Sequence, residues 1–240
     1  MVESTFATRP LIAALHRMPP HVVLVLHPTC AHLYAAEDGG LRPVDHHEAV
    51  GAGRPVRVPG AGQPGAAAAR TELMEGFLRR VDRMLGDYRA EHPSPLVLVG
   101  PPRLVDEFCV RSSHLERLAG RVDDRTCATA LDLALASLTA VEAYLRTRRA
   151  DALALLGAAE SERPGDVATG IEACWRAVGP RRPEMLLVEE NFIQPGTGQV
   201  EVHDLVDDLM EQVILLGGQL ALVADGDLSA HDRIALVLRR

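Results

Sequence analysis

Apolar residues recur along this chain with two different periods, and the changes of period mark out its elements. Residues 22–26 are continuously apolar and residues 31–35 nearly so, and Asp38-Gly39-Gly40 supplies turn chemistry before the stretch 41–44. This pattern predicts a hairpin or meander. From Arg70 the spacing lengthens: Leu73, Met74, Phe77, Leu78, Val81, Leu85 and Tyr88 recur every three or four residues, with Arg79, Arg80, Arg83 and Asp87 on the other faces. An amphipathic helix of about five turns is expected there. Pro93 and Pro95 end it, residues 96–99 read as a short buried strand, and Gly100-Pro101-Pro102 opens a second helix holding Leu104, Val105 and Phe108.

Asp123-Asp124 forms a polar break, after which Leu131, Leu135, Leu138, Val141 and Leu145 predict a long helix. A domain boundary is placed at this break, which gives a short leader over 1–20, a first domain over 21–124 and a second over 125–240. A break at 161–165 leads to Asp166, read as the N-cap of a helix with Val167, Ile171, Trp175 and Val178 on one face. A strand over 185–188, a helix over 202–216 and strands over 219–223 and 234–238 follow. The whole predicts a two-domain α/β fold whose second half is an α/β/α sandwich. Residues 49–69 hold five Gly and three Pro with almost no large apolar side chain, so a long mobile loop is expected between the meander and the first helix.

With 240 residues, 47% of them apolar and 24% charged, the chain has the proportions of a folded protein. No apolar run approaches the roughly 18 to 20 residues that cross a bilayer, and the N-terminus lacks a basic-then-apolar signal. A cytoplasmic protein without a membrane partner is expected. Cys30, Cys109, Cys127 and Cys174 are dispersed, which implies reduced thiols and neither a disulfide framework nor a CxxC metal site. A net charge of −8 argues against a protein that coats nucleic acid with its whole surface, and DNA is not expected as a partner. The charge is unevenly spread, however. Residues 184–232 carry eleven acidic residues and no Arg, whereas 49–90 carry seven Arg against four acids, so RNA, if bound, meets the latter stretch.

Gly60-Ala61-Gly62-Gln63-Pro64-Gly65 spells a dinucleotide-binding fingerprint, but Val56-Arg57-Val58-Pro59 is a poor strand before it and Asp82 falls inside a helix. No nucleotide cofactor is expected. Five histidines, His21, His27, His32, His46 and His47, crowd the meander, yet no HExxH, ligand-spaced carboxylate or Cys pair supports a metal site, and ordinary polar or core roles are expected. No nucleophile elbow, P-loop or catalytic carboxylate pair is present. Glu189-Glu190 reads as a solvated strand end. Gly217-Gly218-Gln219 falls between a helix and a strand, where glycine caps the helix.

Several stretches resemble the central and C-terminal domains of class-1 release factors and of Pelota, and in particular the bacterial archaeo-eukaryotic release factor family. They are VVLVLHPTCAHLYAAEDGGLRPV, the Gly-rich loop ending in GAGQ, RTELMEGFLRRVDRMLG, LVLVGPPRLVDEF, GIEACWRAVGPRRPEMLLVEENF and GGQLALVADGDLSAHDRIALVLRR, the last two being the most specific. The similarity covers Val22 to Arg240, with the codon-reading domain of the full-length factors expected to be reduced to about twenty leader residues. The resemblance implies an RNase-H-like central domain and a C-terminal domain like the kink-turn-binding ribosomal proteins. It further implies binding of rRNA and tRNA in the ribosomal A site, with an elongation-factor-Tu-type GTPase as a further partner.

In release factors a catalytic Gly-Gly-Gln sits at the tip of the loop before the long helix. By resemblance that position here is Ala61-Gly62-Gln63, with Gln63 placing the water and Gly62 allowing close approach to the ester. Ala61 replaces the first Gly, Pro64 removes a backbone N–H, and only Arg54 and Arg57 make the loop basic. The leading expectation is therefore a non-enzymatic rescue or hibernation factor that meets RNA through Arg54, Arg57, Arg70, Arg79, Arg80 and Arg83. One alternative is a peptidyl-tRNA hydrolase using Gln63 and Gly62. Another is a protein-interaction domain that has lost ribosome binding.

Overall fold

The computed structural model describes residues 20–37, 40–48, 66–179, 182–194 and 204–239. The chain is mixed α/β and forms two compact units, which part between Tyr144 and Leu145.

In the first unit, β1 (His21–Leu26), β2 (Cys30–Glu37), β3 (Gly40–Glu48), β4 (Leu96–Val99) and β5 (Leu118–Val122) make one sheet in the order β3-β2-β1-β4-β5. β1 is antiparallel to β2 and parallel to β4, so it lies at the centre, and its six residues are all buried. Continuous apolar sequence is what a strand covered on both faces requires. Val22, Leu24, Leu26, Leu96 and Leu98 pack under two helices, α1 (Ala66–Glu91) and α2 (Pro102–Arg111). α1 contributes Phe77, Leu78, Val81, Met84 and Leu85, and α2 contributes Leu104, Val105 and Phe108. The alternate residues Val23, Val25, Val97 and Val99 are equally buried. On their side the first part of α3 (Ala130–Glu162) brings Ser137 Oγ to 3.1 Å from His21 Nε2.

α1 begins at Ala66, four residues before the amphipathic period, because Ala66–Ala69 is a run of the strongest helix former. The last residues expected in the loop are therefore helical. β5 has no counterpart in the sequence reading: LAGRV is short, carries Gly120 and Arg121, and lies at a sheet edge where apolar alternation is not needed.

In the second unit, β6 (Val167–Thr169), β7 (Pro183–Glu189), β8 (Gln219–Val223) and β9 (Ile234–Leu238) form a sheet in the order β6-β9-β7-β8. β7 runs parallel to β8 and antiparallel to β9. α4 (Ile171–Val178) and α5 (Leu205–Leu215) cover one face with Cys174, Val178, Val206, Leu209, Met210 and Val213. Ala152, Leu156 and Ala159 of α3 cover the other, over Leu187, Ala221, Val223, Ala235 and Val237. The result is three layers, helix on sheet on helix.

One expected helix start is corrected. Asp166 ends a short 3-10 turn and Val167–Thr169 is strand β6, paired antiparallel with β9. The helix begins only at Ile171, after Gly170 at φ +77° breaks the extended run. Val167 and Thr169 are β-branched, which suits a strand.

Candidate nucleic-acid interface

α1 buries one stripe and carries Arg79, Arg80 and Arg83 beside it. Arg79 and Arg83 are exposed and Arg80 is half-buried, and among the described residues none of the three makes an ion pair. Their neighbours differ. Arg111 pairs with Glu75 at 3.3 Å and with Glu107 at 3.4 Å, Arg121 with Asp106 at 2.8 Å, and Arg125 with Asp123 at 2.5 Å. Arg79 Nη2 and Arg80 Nη1 converge on Gly76, lying 4.0 and 3.7 Å from the point its Cβ would occupy. Two of the three charges thus stand side by side over a helix turn with no side chain between them.

A groove flanks α1 on each side. Towards α2 a cavity of about 320 Å³ is lined by Arg79, Arg83, Arg111, Ser112 and His114. Its one acid, Asp82, accepts from Ser112 Oγ at 2.5 Å and from the Ser113 amide at 3.4 Å. Towards β3 a cavity of about 400 Å³ is lined by Leu33, Val44, His47, Arg80, Met84 and Tyr88 among others. Planar guanidinium forks not paired with a carboxylate are suited to phosphate oxygens, which they can meet with two parallel hydrogen bonds.

Of the residues expected at the site, Arg79, Arg80 and Arg83 come together on this face. Arg70 lies in α1, while Arg54, Arg57, Gly62 and Gln63 fall outside the described residues. The helix period marks the three arginines, but Arg111 at the end of α2, His114 just beyond it and His47 of β3 join them only through tertiary packing. Arg89, counted in the same basic stretch, is not available to a ligand. It is buried, donating to the carbonyls of His114, Ser94 and Glu116 and to the Glu116 carboxylate at 3.2 Å. Burial pulls its pKa down, opposed by the Glu116 charge.

The other candidate features resolve structurally. Glu189 is not a solvated strand end: it is 2% exposed, its Oε1 accepts from the amides of Gly226 at 2.9 Å and Leu228 at 3.0 Å, and its Oε2 accepts from Arg233 Nε at 2.6 Å. Glu190 pairs with Arg149. Gly217 and Gly218 close α5: the Gly217 amide donates to Ile214 O and the Gly218 amide to Val213 O, both at 2.9 Å, with Gly217 at φ +75°. His32 stacks on His46 with ring centroids 6.1 Å apart, and its pKa is lowered first by burial and then by the charges of His27 and His46. Among the described residues no three His, Cys, Asp or Glu are arranged to hold a metal, and no helix is long and apolar enough to cross a membrane.

The fold is shared with solved Pelota-like proteins. A ribosome-bound archaeal Pelota described with ABCE1 superposes with a TM-score of 0.60 at 17% identity, over 91% of this chain and 61% of that one. S. cerevisiae Dom34, described as a translation termination-like factor of RNA quality control that interacts with Hbs1, gives 0.61 at 12% identity, over 99% and 69%. At such identities the likeness shows the fold, and the chain spans about three fifths of the archaeal protein's length. No curated protein matches it in sequence. Residues 20–182 match bacterial archaeo-eukaryotic release factor family 3, and the chain belongs to that family.

Proposed function

We propose that the chain is a ribosome-associated factor acting by occupancy, in rescue or hibernation, and that residues 49–69 and α1 enter the A site. The observation that carries this reading is the trio Arg79, Arg80 and Arg83, three guanidinium groups without a carboxylate partner on the helix that follows the Gly-rich segment. Phosphate contacts of this kind position a protein on RNA without reading its sequence. Occupancy is preferred to hydrolysis because Ala61 and Pro64 flank Gly62-Gln63. The strand order β3-β2-β1-β4-β5 supports an RNase-H-like first unit, and the three layers of the second support a likeness to kink-turn-binding ribosomal proteins. The acidic second unit offers a face to an elongation-factor-Tu-type GTPase, in keeping with Dom34 and its interaction with Hbs1. Such a factor works in the cytoplasm.

Co-sedimentation with bacterial ribosomes at roughly 50 and 200 mM salt tests the reading, since RNA binding weakens steeply across that range. Reversing Arg79 and Arg80 to Glu is expected to abolish sedimentation with ribosomes, and an unchanged profile would refute the proposal. Release of labelled peptide from a stalled peptidyl-tRNA complex, followed in the same tubes, is expected to be absent. Release that Gln63→Ala eliminates would replace occupancy with hydrolysis.

A further inference from the structure

The groove between β3 and α1 is chemically mixed. Leu33, Val44 and Met84 give it an apolar floor, Arg80 and Arg83 supply cations, and Asp45 and Asp87 supply carboxylates. Helix spacing sets their order. Arg80, Arg83, Asp87 and Tyr88 follow one another along one side of α1, so at 1.5 Å per residue Asp87 and Tyr88 lie about 6 to 12 Å beyond the arginines. That is the reach of one nucleotide from its phosphate to the far edge of its base.

Two details point to an occupant. Among the described residues Arg80 Nη2 is buried without a hydrogen-bond partner, a state that a folded protein rarely leaves unfilled. Tyr88 already stacks on His92, with centroids 4.4 Å apart and planes 8° from parallel, so its ring is held in place as a stacking platform.

We propose that this groove binds a single unstacked guanosine nucleotide, with its phosphate on Arg80 and Arg83, its base against Tyr88 and Met84, and its donor edge on Asp87 and Asp45. Carboxylates only accept hydrogen bonds, and guanine presents adjacent N1–H and N2–H donors, whereas adenine sets a single amino group beside a ring acceptor. The nucleotide comes either from an RNA strand or from the free pool. The proposal deepens the reading of α1 as an RNA-facing surface and rests on it for the RNA source.

The test titrates the full chain with guanosine 5′-monophosphate and with adenosine 5′-monophosphate by calorimetry. Saturable binding of the guanosine nucleotide is expected, about tenfold or more tighter than the adenosine nucleotide. Arg80→Ala and, separately, the exposed Arg83→Ala are each expected to weaken it by about tenfold. Asp87→Asn is expected to bring the ratio between the two nucleotides towards one. A uridine oligomer with one central guanosine that binds more tightly than the mononucleotide assigns the site to RNA, and one that binds equally or less tightly assigns it to the free nucleotide.

Absence of saturable binding, equal affinity for both nucleotides, or binding untouched in both arginine variants would overturn the proposal. The two readings fail separately. No nucleotide binding, with ribosome co-sedimentation still lost on reversing Arg79 and Arg80, overturns the groove alone. Nucleotide binding with co-sedimentation unaffected by that reversal overturns the ribosomal surface and keeps the groove as a free-nucleotide site.

Discussion

Replacing Glu189 by Ala removes a carboxylate that is 2% exposed and strands three donors: the amides of Gly226 and Leu228, and Arg233 Nε. A buried donor left unsatisfied costs about 1 to 3 kcal/mol. Leu228 is fully buried and bears the full loss, whereas Arg233 is 42% exposed and keeps Asp225 at 3.1 Å, so its loss is smaller. Together these give about 4 kcal/mol for Glu189→Ala. Glu189→Gln keeps an acceptor for the two amides but sets its amide N–H₂ opposite Arg233 Nε, so it loses that charge-assisted hydrogen bond, about 2 kcal/mol.

Acidity adds a second dimension to this test. Burial alone pushes the Glu189 carboxyl up, but the Arg233 guanidinium and the two amides outweigh it and hold the group below its ordinary 4.5. Since the unfolded chain restores that ordinary value, the stabilisation is complete above it and is lost as pH falls through the lower folded value. The gap between the native chain and Glu189→Gln should therefore close at acid pH. Trp175, the single tryptophan, reports on the second unit alone, its indole N–H donating to Leu205 O at 3.2 Å. Urea unfolding followed by its fluorescence measures the effect as a midpoint shift at constant slope. A loss below about 1 kcal/mol for Glu189→Ala, or equal losses for Ala and Gln, would refute the reasoning.

Removing Arg79, Arg80 and Arg83 together should lower the slope of log affinity against log salt for ribosomes by about 2 to 3, at roughly 0.7 to 0.9 per phosphate contact. A salt series of co-sedimentations measures it, and an unchanged slope would show that these groups do not meet phosphate. Gly217→Ala forces an L-residue to φ +75° and should cost about 1 kcal/mol in the Trp175 transition. Gly218→Ala sets a methyl 2.7 Å from Val213 Cγ1 and 3.0 Å from Pro183 and should cost about 1 to 3 kcal/mol in the same assay. The Cys174 thiol, pushed up to about 12 by burial, should resist iodoacetamide while Cys30 and Cys127 react, as mass mapping of the native protein would show; equal labelling would contradict its burial.

The elements legible in the sequence are those whose environment is uniform along their length. β1, β4, β7 and β9 are apolar on both faces, and α1 repeats its period over five turns, so local pattern suffices. β5 and β6 are short edge strands with mixed faces, and pairing with β4 and β9 rather than any internal period makes them strands. The candidate site divides the same way. Arg79, Arg80 and Arg83 beside the buried stripe follow from helix geometry. That they form no ion pair among the described residues while Arg89 and Arg111 do is decided by residues as distant as Glu116 and Glu75. Glu189 misleads as a sequence feature because its partner Arg233 lies 44 residues away, brought alongside by the pairing of β7 with β9.

The cap that closes α5 inverts the tolerance expected of the same three letters elsewhere. In a hydrolytic Gly-Gly-Gln the glutamine carries the chemistry, and a backbone amide must stay free to meet developing charge. Here both glycine amides are taken by carbonyls of the preceding turn, both glycines resist a side chain, and Gln219 stands exposed at the start of β8. A saturation scan should therefore find positions 217 and 218 restrictive and 219 permissive. In this chain the literal tripeptide is a helix cap with neither glycine amide unoccupied.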